Sequence, residues 1–177
     1  KVAKNGSTPS ISTARSMVVM SWFCEARRFA SRCVSRRKVI SGSASTTAAL
    51  KARLPSAPSI DNPVDIGEQA GAAEFIAAAE VLAASADVDG VLVVVTPKPG
   101  IDTDAIARAA TASLPGVYKP VIGCWMGETR VYETRRMVNA AGLPVFRLPE
   151  AAVDAFANIA SFYRNQKMLM QSPPPLN

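Results

Sequence analysis

The chain contains no histidine. That single absence removes the Ser-His-Asp triad, a histidine general base and a phosphohistidine carried by the chain itself. Cysteine is scarce as well. Cys24, Cys33 and Cys124 are odd in number and lack a CxxC spacing, so they support neither a disulfide framework nor a zinc site. A reducing, cytosolic setting is therefore expected, and no metal is assigned. No apolar run approaches the ~20 residues needed to span a bilayer, so no membrane partner is expected. There is no GxxxxGK[ST] phosphate loop and no internal repeat. Aromatic residues make up only 6% of a chain that is 49% hydrophobic, which leaves Ala, Val, Leu and Ile to fill the core.

Acidic residues are nearly missing from the first third. Lys1 to Arg53 holds eleven Lys and Arg against one acid, Glu25, whereas Leu54 to Asn177 holds nine basic and thirteen acidic residues. The net charge of +6 thus describes the N-terminal segment and not the remainder. A basic arm of this kind, with Arg27, Arg28, Arg32, Arg36, Arg37 and Lys38, is the footprint of a nucleic-acid binder. No aromatic stacking platform or reading helix accompanies it, so nucleic acid is not expected as a partner. A transit-type segment, a flexible basic arm and out-of-frame sequence joined to a real domain compete for residues 1–45. The abrupt change in composition near Thr46 favours the last. The first residue is Lys1 and not Met, so a fragment or processed product is expected.

From Thr46 onward the chain is periodic. Thr46 to Leu54 reads as a short helix stopped by Pro55. Ala72 to Ser85 places Phe75, Ile76, Ala79 and Leu82 on one helical face. Val88 to Thr96 is apolar nearly throughout, as in a parallel strand covered on both faces. Asp102 or Thr103 can cap a helix to about Ser113. Pro120 to Trp125 reads as a second buried strand, Arg130 to Ala141 as a helix closed by Gly142, and Leu143 to Arg147 as a short strand. Pro149 opens a last helix that runs to about Met168, and Pro173 to Pro175 reads as a stiff linker. Alternating helices and strands with right-handed crossovers give a parallel sheet with helices on both faces. The pattern requires at least one further strand before Thr46; within residues 1–45, Met17 to Phe23 could form a short strand.

Ligands in such folds bind at the carboxyl ends of strands. The loop Thr96-Pro97-Lys98-Pro99-Gly100-Ile101-Asp102 leads from a strand end into a helix N-terminus, whose free N–H groups favour anions. Such an effect is worth about 0.3–1 kcal/mol when exposed and about 2 when partly buried. Asp102 and Asp104 put negative charge at the same helix end and work against it. Asp65 lies in an apolar stretch after a proline turn, where a structural hydrogen bond is the expected role. Cys124, with no histidine to activate it, reads as an inert buried thiol. Trp125 reads either as core packing or as an anchor between domains.

Four motifs in order carry a family resemblance. Asn62-Pro63-Val64-Asp65-Ile66-Gly67 is similar to "NPxD(I/L)xG", Val91 to Pro97 to "(V/I)LVxxTP", Cys124-Trp125-Met126-Gly127 to "(C/S)WMGG", and Tyr163-Arg164-Asn165-Gln166 with Leu169-Met170 to "YRRNQxLLxxxPP". Together they resemble the NDP-forming (ADP-forming) acyl-CoA synthetases and acetate–CoA ligases, including fusions to GNAT protein acetyltransferases, which are related to succinyl-CoA synthetase. The resemblance covers about Thr46 to Pro175. It implies a flavodoxin-like three-layer α/β/α domain at residues 46–170, followed by a linker at 171–177.

The resemblance further implies a cytoplasmic enzyme that makes acyl-CoA from a carboxylic acid, CoA and ATP through an acyl phosphate and a phosphohistidine. Asn62, Asp65, Gly67, Thr96, Pro97 and Gly100 would shape the phosphate-bearing pocket, with the helix after the Thr-Pro loop aimed at it. Trp125 and Gly127 would face neighbouring domains. No residue of this chain is assigned a catalytic role. CoA and ATP with Mg²⁺ would be bound by the parent enzyme, through its CoA-binding, phosphohistidine and ATP-grasp domains, and not by this chain alone. Two positions depart from the family pattern, Glu68 and Glu128, each where a glycine is common. The Gly-rich opening turn of "VAIVTNGGGPG" type is not recognisable. A non-catalytic flavodoxin-like interaction or regulatory domain is the alternative.

Overall fold

The structure is a computed structural model that describes residues 17–21, 44–114 and 116–171. The basic arm, Cys24, Cys33 and the Pro173–Pro175 linker lie outside the described residues.

The described elements run in chain order as β1 (Met17–Ser21), α1 (Ala44–Arg53), β2 (Val64–Asp65), α2 (Ala72–Ala84), β3 (Gly90–Val95), α3 (Thr103–Ser113), β4 (Val121–Trp125), α4 (Tyr132–Ala140), β5 (Val145–Phe146) and α5 (Pro149–Leu169). The five strands form one parallel sheet in the order β2-β1-β3-β4-β5. This is the flavodoxin-like order, in which the direction of winding reverses between β1 and β3.

The period-two alternation of strands divides the core between two faces. Val91, Val93, Val95, Val121 and Trp125 pack in one cluster with Phe75, Ala78 and Leu82 of α2, Ile106 and Ala110 of α3, and Val138 of α4. Leu92, Val94, Ile122 and Cys124 point the other way and pack with Ala152, Val153, Phe156 and Ile159 of α5. Every residue of β3 and β4 is buried. The near-continuous apolar runs in the sequence have this two-sided burial as their cause.

Most elements coincide with the sequence expectation, and three differ. β1 lies inside the stretch expected to stand outside the domain, so the domain boundary near Thr46 moves back to include Met17–Ser21. Backbone pairing with both β2 and β3 places this strand within the sheet and not at its edge. β2, read as a turn or extended lead-in, is a strand of two residues at the sheet edge. Its Asn62–Pro63 peptide bond is cis. The helix expected from Arg130 begins instead with a 3₁₀ turn, Thr129–Val131, before α4.

The amino-terminal edge of the sheet is tied by polar groups. The Thr46 hydroxyl, 6% exposed, lies 2.7 Å from the Ser85 hydroxyl and donates to Asp87 at 3.4 Å. The Lys119 ammonium donates to the Ser85 carbonyl. Burial pushes Lys119 below the usual lysine range, and the carboxylates of Asp89 and Asp87 partly offset it.

α5 crosses its face of the sheet against the strand direction. Phe156 already lies over the start of β3: a Cβ at Gly90 would fall 2.3 Å from Phe156 Cε2 and 3.1 Å from the Pro120 carbonyl. The thirteen residues after Phe156, ending at Leu169, add about 20 Å of helix beyond that point. Phe162, Tyr163, Met168 and Leu169 on this extension are 52–86% exposed.

The contact at Gly90 gives a direct test of the packing. Gly90→Ala should cost about 1–3 kcal/mol, because neither the ring nor the carbonyl can move away cheaply. Urea unfolding of the variant should show a lower midpoint with an unchanged slope.

Candidate functional site at the carboxyl edge of the sheet

Three of the four motifs converge at the carboxyl ends of β2, β3 and β4. After β2, the Asp65 carboxylate accepts the Gly67 N–H at 3.0 Å. Gly67 has a φ of +89°, a conformation that glycine adopts without strain. The Asp65 backbone also exchanges hydrogen bonds with Ser59, N–H to carbonyl at 2.8 and 3.4 Å. Asp65 therefore has the structural role expected of it, holding the turn that sends the chain from β2 into Glu68.

After β3 comes the loop of Thr96, Pro97, Lys98, Pro99 and Gly100. The Thr96 hydroxyl donates weakly to Met126 Sδ at 3.7 Å. Gly100 takes a φ of +86° with open space where a Cβ would stand. Lys98 Nζ reaches Glu68 Oε1 at 2.9 Å, and so joins the loop after β3 to the loop after β2. Nothing in the spacing of these two residues announced that pairing, since thirty residues and a whole helix separate them.

The amino end of α3 is already occupied. Asp102 is its N-cap, and one carboxylate oxygen accepts from Asp104 N at 3.0 Å and Ala105 N at 2.8 Å. The donors that make a helix N-terminus attractive to an anion are here satisfied in part by the chain's own carboxylate. Arg108 stands 3.7 Å from the other oxygen of Asp102. Asp104 accepts from the buried Thr134 hydroxyl of α4, which ties the start of α3 to its neighbour.

After β4, Met126 N donates to the Val95 carbonyl at 2.8 Å, so the loops following β3 and β4 stay in register. Gly127, with φ +107°, presses on Pro97: a Cβ there would lie 3.2 Å from Pro97 Cγ. Arg135 of α4 holds the same turn. Its Nη1 donates to the Trp125 carbonyl at 2.9 Å and the Gly127 carbonyl at 2.7 Å. Arg135 escaped the sequence reading because a helical arginine carries no local signal of its partners. Glu128 pairs with Arg147.

Trp125 corrects one expectation. Its side chain is 1% exposed and packs in the core, and so offers nothing to a neighbouring domain. The reason is Gly123, two residues earlier on the same face. A Cβ at Gly123 would fall 2.5 Å from Trp125 Cζ3, so the glycine leaves the space into which the indole folds back. Among the described residues the indole Nε1 has no hydrogen-bond partner. Cys124, on the opposite face, is fully buried, and burial, reinforced by Glu150 and opposed by Arg135, pushes its thiol up to about 12.

Gly67, Thr96, Pro97, Gly100 and Gly127 thus all belong to loops at one edge, with Asp65 at the end of β2 beside them, whereas Asn62 precedes β2. The fourth motif does not join them. Tyr163 to Gln166 and Leu169 lie on the exposed extension of α5, which points past the opposite edge. Among the described residues no group of three or more His, Cys, Asp or Glu could hold a metal ion. None of the described helices is long and apolar enough to cross a membrane.

Both the sequence and the fold have counterparts among known proteins. Over 113 residues, 64% of the chain, it is 32% identical to acetate–CoA ligase [ADP-forming] I of Archaeoglobus fulgidus. Over that stretch the chain is related in sequence to the ADP-forming acetate–CoA ligases. It spans 16% of that ligase's length. No protein-family model matches it.

The fold is similar to that of the dinucleotide forming acetyl-coenzyme A synthetase 1 of Candidatus Korarchaeum cryptofilum. The apo form superposes with a TM-score of 0.79 at 18% identity, covering 92% of this chain and 36% of that one. The form in complex with phosphate and ADP gives 0.78 at 18% identity, covering 90% and 35%. A protein of Pyrococcus horikoshii gives 0.71 at 19% identity, covering 81% and 34%. These likenesses establish the flavodoxin-like fold, and the chain covers about a third of the solved chains.

Burial of Cys124 and the bonds of Arg135 each have a measurable consequence. Cys124 in the folded chain should resist alkylation by iodoacetamide at pH 8 and react fully once the chain is unfolded, as read by peptide mass spectrometry. Arg135→Gln should cost about 1–2 kcal/mol by removing charge-assisted bonds to two carbonyls. Denaturant unfolding measures the loss, and amide signals of Gly127 and Thr96 should shift in the folded variant.

Proposed function

We propose that the chain is the flavodoxin-like domain of a multidomain ADP-forming acyl-CoA synthetase, and that its carboxyl edge forms part of the pocket in which an acyl phosphate is made and consumed. The observation that carries this reading is the convergence of three family motifs at one sheet edge, within a region related to an ADP-forming acetate–CoA ligase.

The parent reaction would join a small carboxylic acid to CoA at the expense of ATP, through an acyl phosphate and a phosphohistidine. This chain has no histidine, so the phosphohistidine must come from another domain. CoA and nucleotide are assigned to the CoA-binding and ATP-grasp domains of the parent, and the whole assembly to the cytoplasm.

Charge and shape are the contributions of this edge. The Lys98 ammonium, the Thr96 hydroxyl and the amino end of α3 can oppose the negative charge of an acyl phosphate. Pro97 and Gly127, in contact, fix the loop that carries the first two. Gly67 and Gly100 allow close approach of backbone to ligand. Partner domains would meet the chain at the Gly127 turn and along the exposed extension of α5, since Trp125 is buried. The alternative, a non-catalytic interaction or regulatory domain, draws support from one observation: Asp102 already fills part of the helix end that an anion would use.

Titration of the full ¹⁵N-labelled chain with acetyl phosphate separates the two. The expected result is saturable movement of the Thr96, Lys98, Gly100 and Gly127 amides, with no acetyl-CoA formed by the chain from acetate, CoA and MgATP. If acetyl phosphate leaves every amide of this edge unmoved, the ligase-pocket reading fails and the interaction domain takes its place.

A further inference from the structure

We propose that the Glu68–Lys98 ion pair is a latch across the carboxyl edge, in which Glu68 occupies the place of an incoming phosphate-type anion until that anion displaces it. The inference deepens the reading of this edge as an acyl-phosphate pocket and rests on it.

Placement is the first ground. Glu68 stands three residues past the end of β2, and Lys98 three past the end of β3. Those two strands flank β1 on either side. The 2.9 Å contact between Lys98 Nζ and Glu68 Oε1 therefore spans the end of β1, at the point where the winding of the sheet reverses. Ligands of open parallel sheets bind at this position.

The surroundings are the second ground. Three other sets of donors at this edge have partners within the chain. Asp102 caps the α3 donors, Arg135 is committed to two carbonyls, and Arg147 faces Glu128. Lys98 is paired with a carboxylate on a different loop, one that the hydrogen bonds of the other two loops do not hold. Its side chain is 22% exposed and that of Glu68 is 74% exposed. The cation is thus held against the body of the domain while the carboxylate reaches in from solvent. Asp65 fixes the base of that arm by accepting the Gly67 N–H, and the positive φ of Gly67 sets the turn from which Glu68 departs.

Energetics make the latch reversible. An ion pair this exposed holds weakly, by a factor of about five or less. A phosphate dianion brings more charge and more acceptor oxygens to the same ammonium than a carboxylate does. The latch then selects for anions with phosphate-like charge over small monocarboxylates, which offer Lys98 no more than Glu68 already provides.

The test uses the full 177-residue chain, its Glu68→Gln variant and its Lys98→Met variant, each titrated with inorganic phosphate and followed by amide shifts at the edge. The expected result is that Glu68→Gln binds phosphate about two- to fivefold more tightly than the unmodified chain, the range set by the strength of an exposed pair. Lys98→Met should bind more weakly than both. Amide signals of β3 and β4 that stay in place confirm that each variant is folded. Equal or weaker binding by Glu68→Gln, with Lys98→Met still impaired, overturns the latch and leaves the anion pocket standing. If phosphate moves no edge amide in any of the three proteins, the pocket itself is wrong, and the latch falls with it.

Discussion

Two parallel strands buried on both faces, β3 and β4, are the constraint on which the remainder of this domain depends. Their backbone groups have no access to water, so each must find a partner in the ladder, and their side chains must meet helices above and below. Val91 to Val95 and Val121 to Trp125 satisfy both demands with almost no polar atoms. The pair fixes where their loops emerge. Because both strands end at the same level, Thr96 and Met126 leave the sheet side by side, and the chemistry of the edge follows from that adjacency. The aromatic poverty of the chain is met by small residues: alanines on α2 and α3 let the helices approach the sheet closely, and Gly123 lends its missing side chain's volume to Trp125.

The central architecture was legible in the sequence because period and punctuation agreed. Apolar runs of strand length, Asp102 as a cap, Gly142 as a terminator and Pro149 at a helix start each have a local physical cause, and each element lies where that cause puts it. β1 was harder to place, since the surrounding basic composition argued against any domain there, although the topology required a strand. β2 is too short for any periodic pattern. At the site, the loops were legible from the motifs, but the bonds between them were not. Glu68 with Lys98, Arg135 with Trp125 and Gly127, and Asp104 with Thr134 join residues that only the folded sheet brings together. Trp125 was ambiguous in sequence because nothing in one strand tells whether a neighbouring glycine will leave room for an indole.

The carboxyl edge is electrostatically quiet in spite of its charges. Carboxylates stand on the helix end, on Lys98 and on Arg147, so that positive potential is cancelled locally within the chain. The Pro97–Gly127 contact and the Met126–Val95 hydrogen bond make the loops after β3 and β4 one mechanical body. The loop after β2 is joined to that body across the edge by an exposed ion pair, which is far weaker. A ligand or partner that disturbs the edge meets its least resistance along that seam.

The protruding end of α5 leads somewhere else. From Phe162 onward, no described residue of the helix is shielded from water, and the T-shaped pair of Phe162 and Tyr163, 5.6 Å between ring centres, is its own nearest support. Helices this short gain little from propensity and need packing to persist. The length of α5 is therefore a property of its company. In dilute solution the last turns are expected to fray, and to hold their full length only against another surface. The visible helical content of this domain should accordingly report whether it stands alone.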